Sequence, residues 1–348
     1  MKSIIVTGGT GFIGSHTCLL LLENKFKVII IDSLENSHFS VIQRIKSIIK
    51  KKNNEINHQI EFFKADLRNE KQIDDIFFKL IKDGNSLEGV IHFAGLKALE
   101  ESLVNPLKYW DYNIGGSINL FKVMAKYNCK TLVFSSSASI YSPKNNIPIK
   151  ETDPLGPINP YGNTKWVIEK ILEDLFYSSS NAWRICNLRY FNPIGAHSSS
   201  LLGEDPLGKP TNIFPLIMKV ASKKQSELKI FGNDWNTSDG TCIRDYIHIM
   251  DLAEGHLVSL KFLFDNPSQL INFNIGTGIG TSVLKLVNTF REVNNVEVPY
   301  VFVERREGDL PIVIANNSKS REILNWTPKR NVQSMCRDGW EWHSRKEI

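Results

Sequence analysis

Along the first half of this chain, short apolar runs alternate with longer segments in which apolar residues recur every three or four positions. The run Ile4-Ile5-Val6 predicts a buried parallel strand, and the stretch from Phe12 to Leu22 predicts an amphipathic helix. A second strand, Lys27 to Ile31, ends in Asp32. A helix from roughly Phe39 to Ile49 follows, then a strand (Glu61-Phe62-Phe63) with Asp66 beyond it, and a helix from Gln72 to Leu80. Next come a strand from Gly89 to Phe93, a long helix from about Leu107 to Tyr127, and a strand from Thr131 to Ser135 that enters a serine-rich turn. This alternation predicts an α/β fold built on a doubly wound parallel sheet with helices on both faces. Ligands of such sheets bind beyond the carboxyl ends of the strands.

The second half is less regular. Stretches rich in Pro and Gly occur at Pro143 to Pro160 and Gly203 to Pro215. Short elements follow at Leu228 to Phe231, Asp251 to Phe264, Ile271 to Ile275, Ser282 to Val293 and Pro299 to Val303. The expected organisation is a doubly wound domain over 1–190, with part of 228–264 returning to it, and a smaller α/β lobe over 191–348. No internal repeat or low-complexity tract is evident.

Between the first strand and helix stand Gly8, Gly11 and Gly14, spaced G-x-x-G-x-x-G. Glycine permits positive φ and a close approach of a pyrophosphate to the main chain, and the amide groups of the following helix N-terminus attract the anion. A glycine triplet alone also serves ordinary turns. Placed between strand and helix, with an acid at the next strand end, it predicts a Rossmann-type dinucleotide site. Asp32 suits the two ribose hydroxyls of NAD and would repel the additional phosphate of NADP. No arginine or lysine adjoins it in Ser33-Leu34-Glu35. NAD is the expected cofactor.

With 348 residues, 42% hydrophobic and 23% charged, the chain has the composition of a globular protein with a sizeable core. The net charge of +5 is modest. Only Lys50-Lys51-Lys52 clusters it, and with Asn53, Asn54 and Asn57 nearby that run reads as a solvated loop, so no nucleic-acid partner is expected. Five scattered cysteines lack metal-ligand spacing and read as small buried hydrophobes, suited to a reducing cytosol, and no metal is expected. Met1-Lys2 leads straight into the first strand, and no apolar run is long enough to span a bilayer. A cytoplasmic protein without a membrane partner is the expectation.

Asn159-Pro160-Tyr161-Gly162-Asn163-Thr164-Lys165 opens a helix, with Asn159 as N-cap and proline in the first position. Tyr161 and Lys165, four apart, share one face. A free tyrosine titrates near about 10, and lowering that by ~3 units takes about 4 kcal/mol of differential stabilisation. A lysine ammonium and the cationic nicotinamide in a dry pocket are expected to supply it. Alone, the pair reads as structural, an aromatic packed under a snorkelling lysine. Following a dinucleotide fold and the strand end Ser135-Ser136-Ser137, it reads as catalytic, with a serine hydroxyl as partner. No G-x-S-x-G elbow surrounds these serines.

The chain resembles the extended short-chain dehydrogenase/reductase family, and within it the UDP-hexose 4-epimerases. The resemblance rests on Thr7-Gly8-Gly9-Thr10-Gly11-Phe12-Ile13-Gly14-Ser15, His92-Phe93-Ala94-Gly95-Leu96-Lys97, Ser135-Ser136-Ser137-Ala138, and Tyr161 with Lys165. It continues through Arg189-Tyr190-Phe191-Asn192-Pro193, Phe231-Gly232-Asn233-Asp234, Gly240-Thr241, Arg244-Asp245-Tyr246-Ile247-His248 and Arg305-Arg306-Glu307-Gly308-Asp309. It implies interconversion of UDP-galactose and UDP-glucose through a transient 4-keto sugar, with NAD held throughout. Tyr161 would be base and acid, Ser137 its hydroxyl partner, and Lys165 the cation at the nicotinamide ribose. Gly8, Gly11, Phe12, Ile13, Gly14, Asp32, Asn36, Ser37, Phe93, Ala94, Lys97, Asn113, Ser135 and Tyr190 would meet the cofactor, with Asp66 and Leu67 at the adenine. The UDP-sugar would meet Lys97, Ser137, Tyr161, Asn192, Asn212 and Ile213. Phe231 and Lys229 would form the uracil slot, Arg244 and Arg306 would hold phosphate, and Asp309 the uridine ribose. Without the resemblance, Arg305-Arg306-Glu307 reads equally as a surface ion pair.

Ser33 and Ser142 depart tolerably from the family pattern, where asparagine and glycine are common. Val313 stands where a tyrosine in relatives excludes N-acetylated sugars; a small residue there implies activity on UDP-N-acetylglucosamine and UDP-N-acetylgalactosamine as well. Dehydratases of the fold place an acidic pair where this chain has Ser137-Ala138, which argues against them, and a dinucleotide-sensing protein without catalysis would lack the Tyr-Lys pair. The helices around Leu107 to Tyr127 and Tyr161 to Tyr177 pair in relatives across a two-fold axis, which implies a homodimer.

Overall fold

A computed structural model describes residues 2–52, 59–178, 182–208, 210, 212–306 and 308–346. In the first half β1 (Lys2–Thr7), β2 (Lys27–Asp32), β3 (Ile60–Lys64), β4 (Ser86–His92), β5 (Thr131–Ser135) and β6 (Arg184–Tyr190) alternate with helices. These are α1 (Phe12–Glu23), α2 (Ser40–Lys52), α3 (Glu70–Lys82), α4 (Leu99–Val104), α5 (Pro106–Tyr109), α6 (Gly116–Lys126) and α7 (Pro160–Ser178). The second half contributes β7 (Asn192–Ile194), α8 (Ile213–Ala221), β8 (Leu228–Phe231), β9 (Ile243–Arg244), β10 (Tyr246–His248), α9 (Ile249–Asp265) and β11 (Gln269–Ile275). It closes with β12 (Thr281–Ser282), α10 (Val283–Asn294), β13 (Tyr300–Val303), β14 (Ile312–Val313), α11 (Ser318–Leu324) and α12 (Val332–Lys346).

One seven-stranded sheet, ordered β11-β6-β5-β4-β1-β2-β3, is parallel throughout. Because side chains alternate across a strand, both of its faces need cover. Ile4, Val6, Val28 and Ile30 pack under α1, α2 and α9, whereas Ile5, Ile29 and Ile31 join Ile73, Phe77 and Leu120 of α3 and α6 on the other face. The strand order reverses between β1 and β4, which places a ligand crevice beyond their carboxyl ends. The smaller lobe has its own core of Phe214, Ile217, Leu228, Leu286 and Phe290.

Four local differences from the sequence pattern have physical causes. The helix α1 is not amphipathic: Gly14 to Leu22 are all buried, because α9 returns from the second half to cover the side left open by the sheet. Lys50, Lys51 and Lys52 end α2 rather than forming a loop, while Asn53, Asn54 and Asn57 lie outside the described residues. The predicted long helix over 107–127 is broken: α5 passes into a π-helical turn, Trp110–Gly115, before α6 resumes. The predicted strand Ile271 to Ile275, assigned to the smaller lobe, is β11 and forms the edge of the large sheet beside β6, where its apolar side chains are paired and covered. All five cysteines are free and buried. No helix among the described residues is long and apolar enough to cross a membrane.

Candidate active site

The β1–α1 turn is shaped by its glycines. Gly8 has φ of +68°, and a Cβ on it would lie 2.7 Å from the Ala94 amide nitrogen. One on Gly14 would lie 2.3 Å from the Gly8 carbonyl oxygen. The turn therefore seats α1 against the end of β4. Gly11 is the N-cap of α1 and supplies no side-chain acceptor to the helix's first amides, which suits an anion. Asp32 at the end of β2 accepts from the Thr10 amide (3.0 Å) and the Leu34 amide (2.9 Å). Its carboxylate is thus fixed beside the glycine turn.

Gly8, Gly11, Gly14 and Asp32 line one cleft together with Phe12, Ile13, Asn36, Ser37, Asp66, Leu67, Phe93, Ala94, Lys97, Tyr161, Lys165 and Tyr190. The glycine cradle, the uncapped helix end and the acid at β2 fit NAD. Asn113 and Ser135 stand behind the wall. From the π-helical turn, Asn113 accepts from the Leu96 amide (2.7 Å) and donates to the Leu96 carbonyl (3.1 Å) and to Thr164 (2.9 Å). It ties the β4 loop to α7, and the widened π turn provides the room.

The helix α7 begins as its sequence predicts. The Asn159 side chain accepts from the Gly162 amide at 2.8 Å, and Pro160 opens the helix. A Cβ on Gly162 would lie 2.5 Å from the Ser139 carbonyl, so glycine lets the helix close on the serine loop. Tyr161 and Lys165 are buried. Lys165 Nζ donates to the Ser135 carbonyl at 2.9 Å. Burial lowers its pKa to about 8, with Glu169 acting in the opposite sense. Burial raises the Tyr161 pKa, and the Ser137 hydroxyl pulls it back only in part. Desolvation outweighs that hydroxyl among the protein groups around Tyr161.

Beneath these residues lies a buried polar tie. Ser136 donates to Glu169, and Arg189 meets the same carboxylate through Nη2 (2.6 Å) and Nε (3.1 Å). Arg189 also donates to Tyr141 (3.1 Å) and to the Glu151 carbonyl (2.9 Å). The serine loop, α7 and β6 are thereby joined.

In the smaller lobe the Arg306 guanidinium lies 4.3 Å from the centre of the Phe231 ring and 3.5 Å from Glu100 of α4. Arg244 stands 3.5 Å from Asp309 and donates to the Leu310 carbonyl at 2.8 Å. Val313, half-buried on β14, is the register partner of Arg244. Phe231, Arg244, Arg306, Asp309 and Val313 are thus linked in pairs. Arg305 turns instead to Asp234 (2.8 Å) and Trp235, the surface pairing that the sequence left open for this segment. Asn192 starts β7, Asn212 and Ile213 lie at the start of α8, and Lys229 is exposed on β8; no hydrogen bond among the described residues joins their side chains to the cleft. Missed in the sequence are Tyr112, whose ring lies 3.6 Å from the Arg68 guanidinium, and Glu204, Asp205 and Pro206 of the cleft wall. Arg68 also clamps Asp66 at 2.6 Å.

The family model described as GDP-mannose 4,6 dehydratase matches residues 5–339. A UDP-glucose 4-epimerase of Bacillus subtilis is 45% identical over 342 residues, covering 98% of this chain and 97% of that one. The chain belongs to the UDP-glucose 4-epimerase family. Another member, from Cyamopsis tetragonoloba, is 45% identical over 99% of this chain and 95% of its own length. Among solved structures, the epimerase of Stenotrophomonas maltophila with bound NAD and formylated UDP-arabinopyranose superposes with a TM-score of 0.93 at 40% identity, covering 100% of this chain and 99% of that one. The Bifidobacterium longum epimerase in complex with NAD+ and UDP does so with a TM-score of 0.92 at 37% identity, over 99% of both chains. The fold of these epimerases is the Rossmann-type sheet with a smaller lobe described above.

Proposed function

We propose that this chain interconverts UDP-galactose and UDP-glucose with a permanently held NAD. One observation carries the reading: Tyr161 and Lys165, one helical turn apart, lie in the same cleft as the glycine turn and Asp32. When bound, NAD supplies the reversible hydride chemistry at the sugar C4 and a positive ring beside the phenol. Tyr161 takes the proton of the 4-hydroxyl and returns it, with Ser137 as hydroxyl partner. Lys165, held by the Ser135 carbonyl, adds a cation within the same dry wall. Arg244 and Arg306 bind the diphosphate, Asn192 and Asn212 the phosphate or sugar, and Lys97 bridges cofactor and substrate. Phe231, with Ile213 and the backbone near Lys229, receives the uracil, and Asp309 the uridine ribose.

Purified protein given UDP-galactose and no added NAD should form UDP-glucose. Absence of conversion even with NAD supplied overturns the reading. A 4-keto-6-deoxy product would indicate a dehydratase instead. The half-buried valine at position 313 supports activity on N-acetylated UDP-hexoses too. Val313→Tyr should then abolish turnover of UDP-N-acetylglucosamine and spare that of UDP-glucose, measured by product identity.

A homodimer is the proposed assembly. Leu107 of α5 and Tyr177 of α7, in the segments named by the resemblance, are 80% and 67% exposed, and Leu103 and Val104 of the neighbouring α4 are 57% and 77% exposed, which supports an uncovered apolar face there. Five free, buried cysteines support residence in a reducing cytosol.

A further inference from the structure

The segment 203–207 belongs by sequence to the second half, yet Gly203 to Pro206 line the dinucleotide cleft. It is tied to the first half at each step. The Leu202 carbonyl stands 3.2 Å from His16 Nε2 on α1. Lys97 Nζ donates to Glu204 at 3.0 Å. Asp205 lies 3.6 Å from Arg44 of α2 and 3.9 Å from His38 just before it. The Leu207 amide donates to Asn36 at 3.0 Å. Trp342 of α12 backs the strap: its indole donates to the Glu204 carbonyl at 3.4 Å, and the Arg44 guanidinium lies 5.0 Å from its ring. The side chains of Glu204 and Asp205 are only 6% and 10% exposed, so their charges depend on these cations.

We infer that residues 203–207 form a strap that retains the dinucleotide, latched by the Asp205–Arg44 and Glu204–Lys97 ion pairs, and that the latch sets how fast NAD is lost. This rests on the proposed NAD site. A dinucleotide lying between the glycine turn and this segment leaves only if the strap lifts, and lifting separates two carboxylates from their cations. The latch therefore acts on dissociation, as most differences between related complexes do.

The test uses the protein as purified with its NAD. A glycohydrolase that destroys free NAD is added, and the bound dinucleotide remaining is followed by chromatography of the denatured protein. Arg44→Met and Asp205→Asn are each expected to speed the loss roughly fivefold or more, as removal of a partly buried ion pair implies. The double variant should be no faster than the singles, since both break one contact. The charge-reversed pair Arg44→Asp with Asp205→Arg should recover part of the retention. Raising the salt concentration should hasten loss in the parent more than in Asp205→Asn. Unchanged retention in both single variants, with circular dichroism and melting intact, overturns the strap and leaves the NAD site standing. If a single variant melts early, the charge-reversed pair decides: recovered melting without recovered retention overturns the strap. A parent protein that carries no NAD and takes none up overturns both.

Discussion

At Tyr161 and Lys165, burial disfavours both charged forms: the phenol is pushed up and the ammonium down to about 8. Unfolded, a lysine titrates near about 10.4. Between those values the unfolded chain binds more protons than the folded one, so this group makes the protein more stable as pH rises from about 8 to about 10. Below about 8 the full cost of its burial is present. Urea denaturation from pH 7 to 10 should show that rise in the parent and lose it in Lys165→Met; identical slopes would assign it elsewhere. Tyr161→Phe should lower turnover at least about a hundredfold while NAD stays bound, and near-normal rates would displace Tyr161 as the base. Asp32, Tyr161 and Lys165 were legible in the sequence because their signals are local: a strand end, an N-capped helix, a spacing of four. Glu204 was not, because its partner Lys97 is 107 positions away. Nor was the direction in which burial pushes Tyr161, since only the folded surroundings reveal how dry the helix face is.

Buried polar ties hold elements in place here. Asn113 satisfies Leu96 and Thr164 from a π-helical turn, so Asn113→Ala should cost about 1–3 kcal/mol through unsatisfied buried groups and weaken NAD retention, read by denaturation and by bound dinucleotide. The Glu169–Arg189 pair, with side chains 7% and 3% exposed, joins α7 to β6. Arg189→Met should cost about 3–5 kcal/mol by stranding Glu169. Arg189→Met combined with Glu169→Leu should cost less than Arg189→Met alone, because no buried charge remains. The strands of the first half were readable from continuous apolar runs, and the helices between them from apolar residues every three or four positions. The π turn was not, because its apolar positions continue the helical period on both sides. The cover over α1 was hidden as well, since the apolar run Cys18 to Leu22 does not say which distant element packs on its second side.

For the whole molecule, the exposed apolar side chains of α4 and α5 predict association. Leu103→Asp with Leu107→Glu should shift sedimentation from dimer to monomer with little change in monomer stability, as both positions are solvent-facing in the single chain. A parent protein that sediments as a monomer at micromolar concentration would remove the dimer. The two lobes are also sewn together by sequence, because β11, after β7 to β10 and α8, completes the large sheet. During synthesis, six strands of that sheet therefore leave the ribosome with the outer edge of β6 unpaired, until residue 275 emerges. Truncations that end before β11 should consequently aggregate rather than yield a free-standing nucleotide-binding fragment.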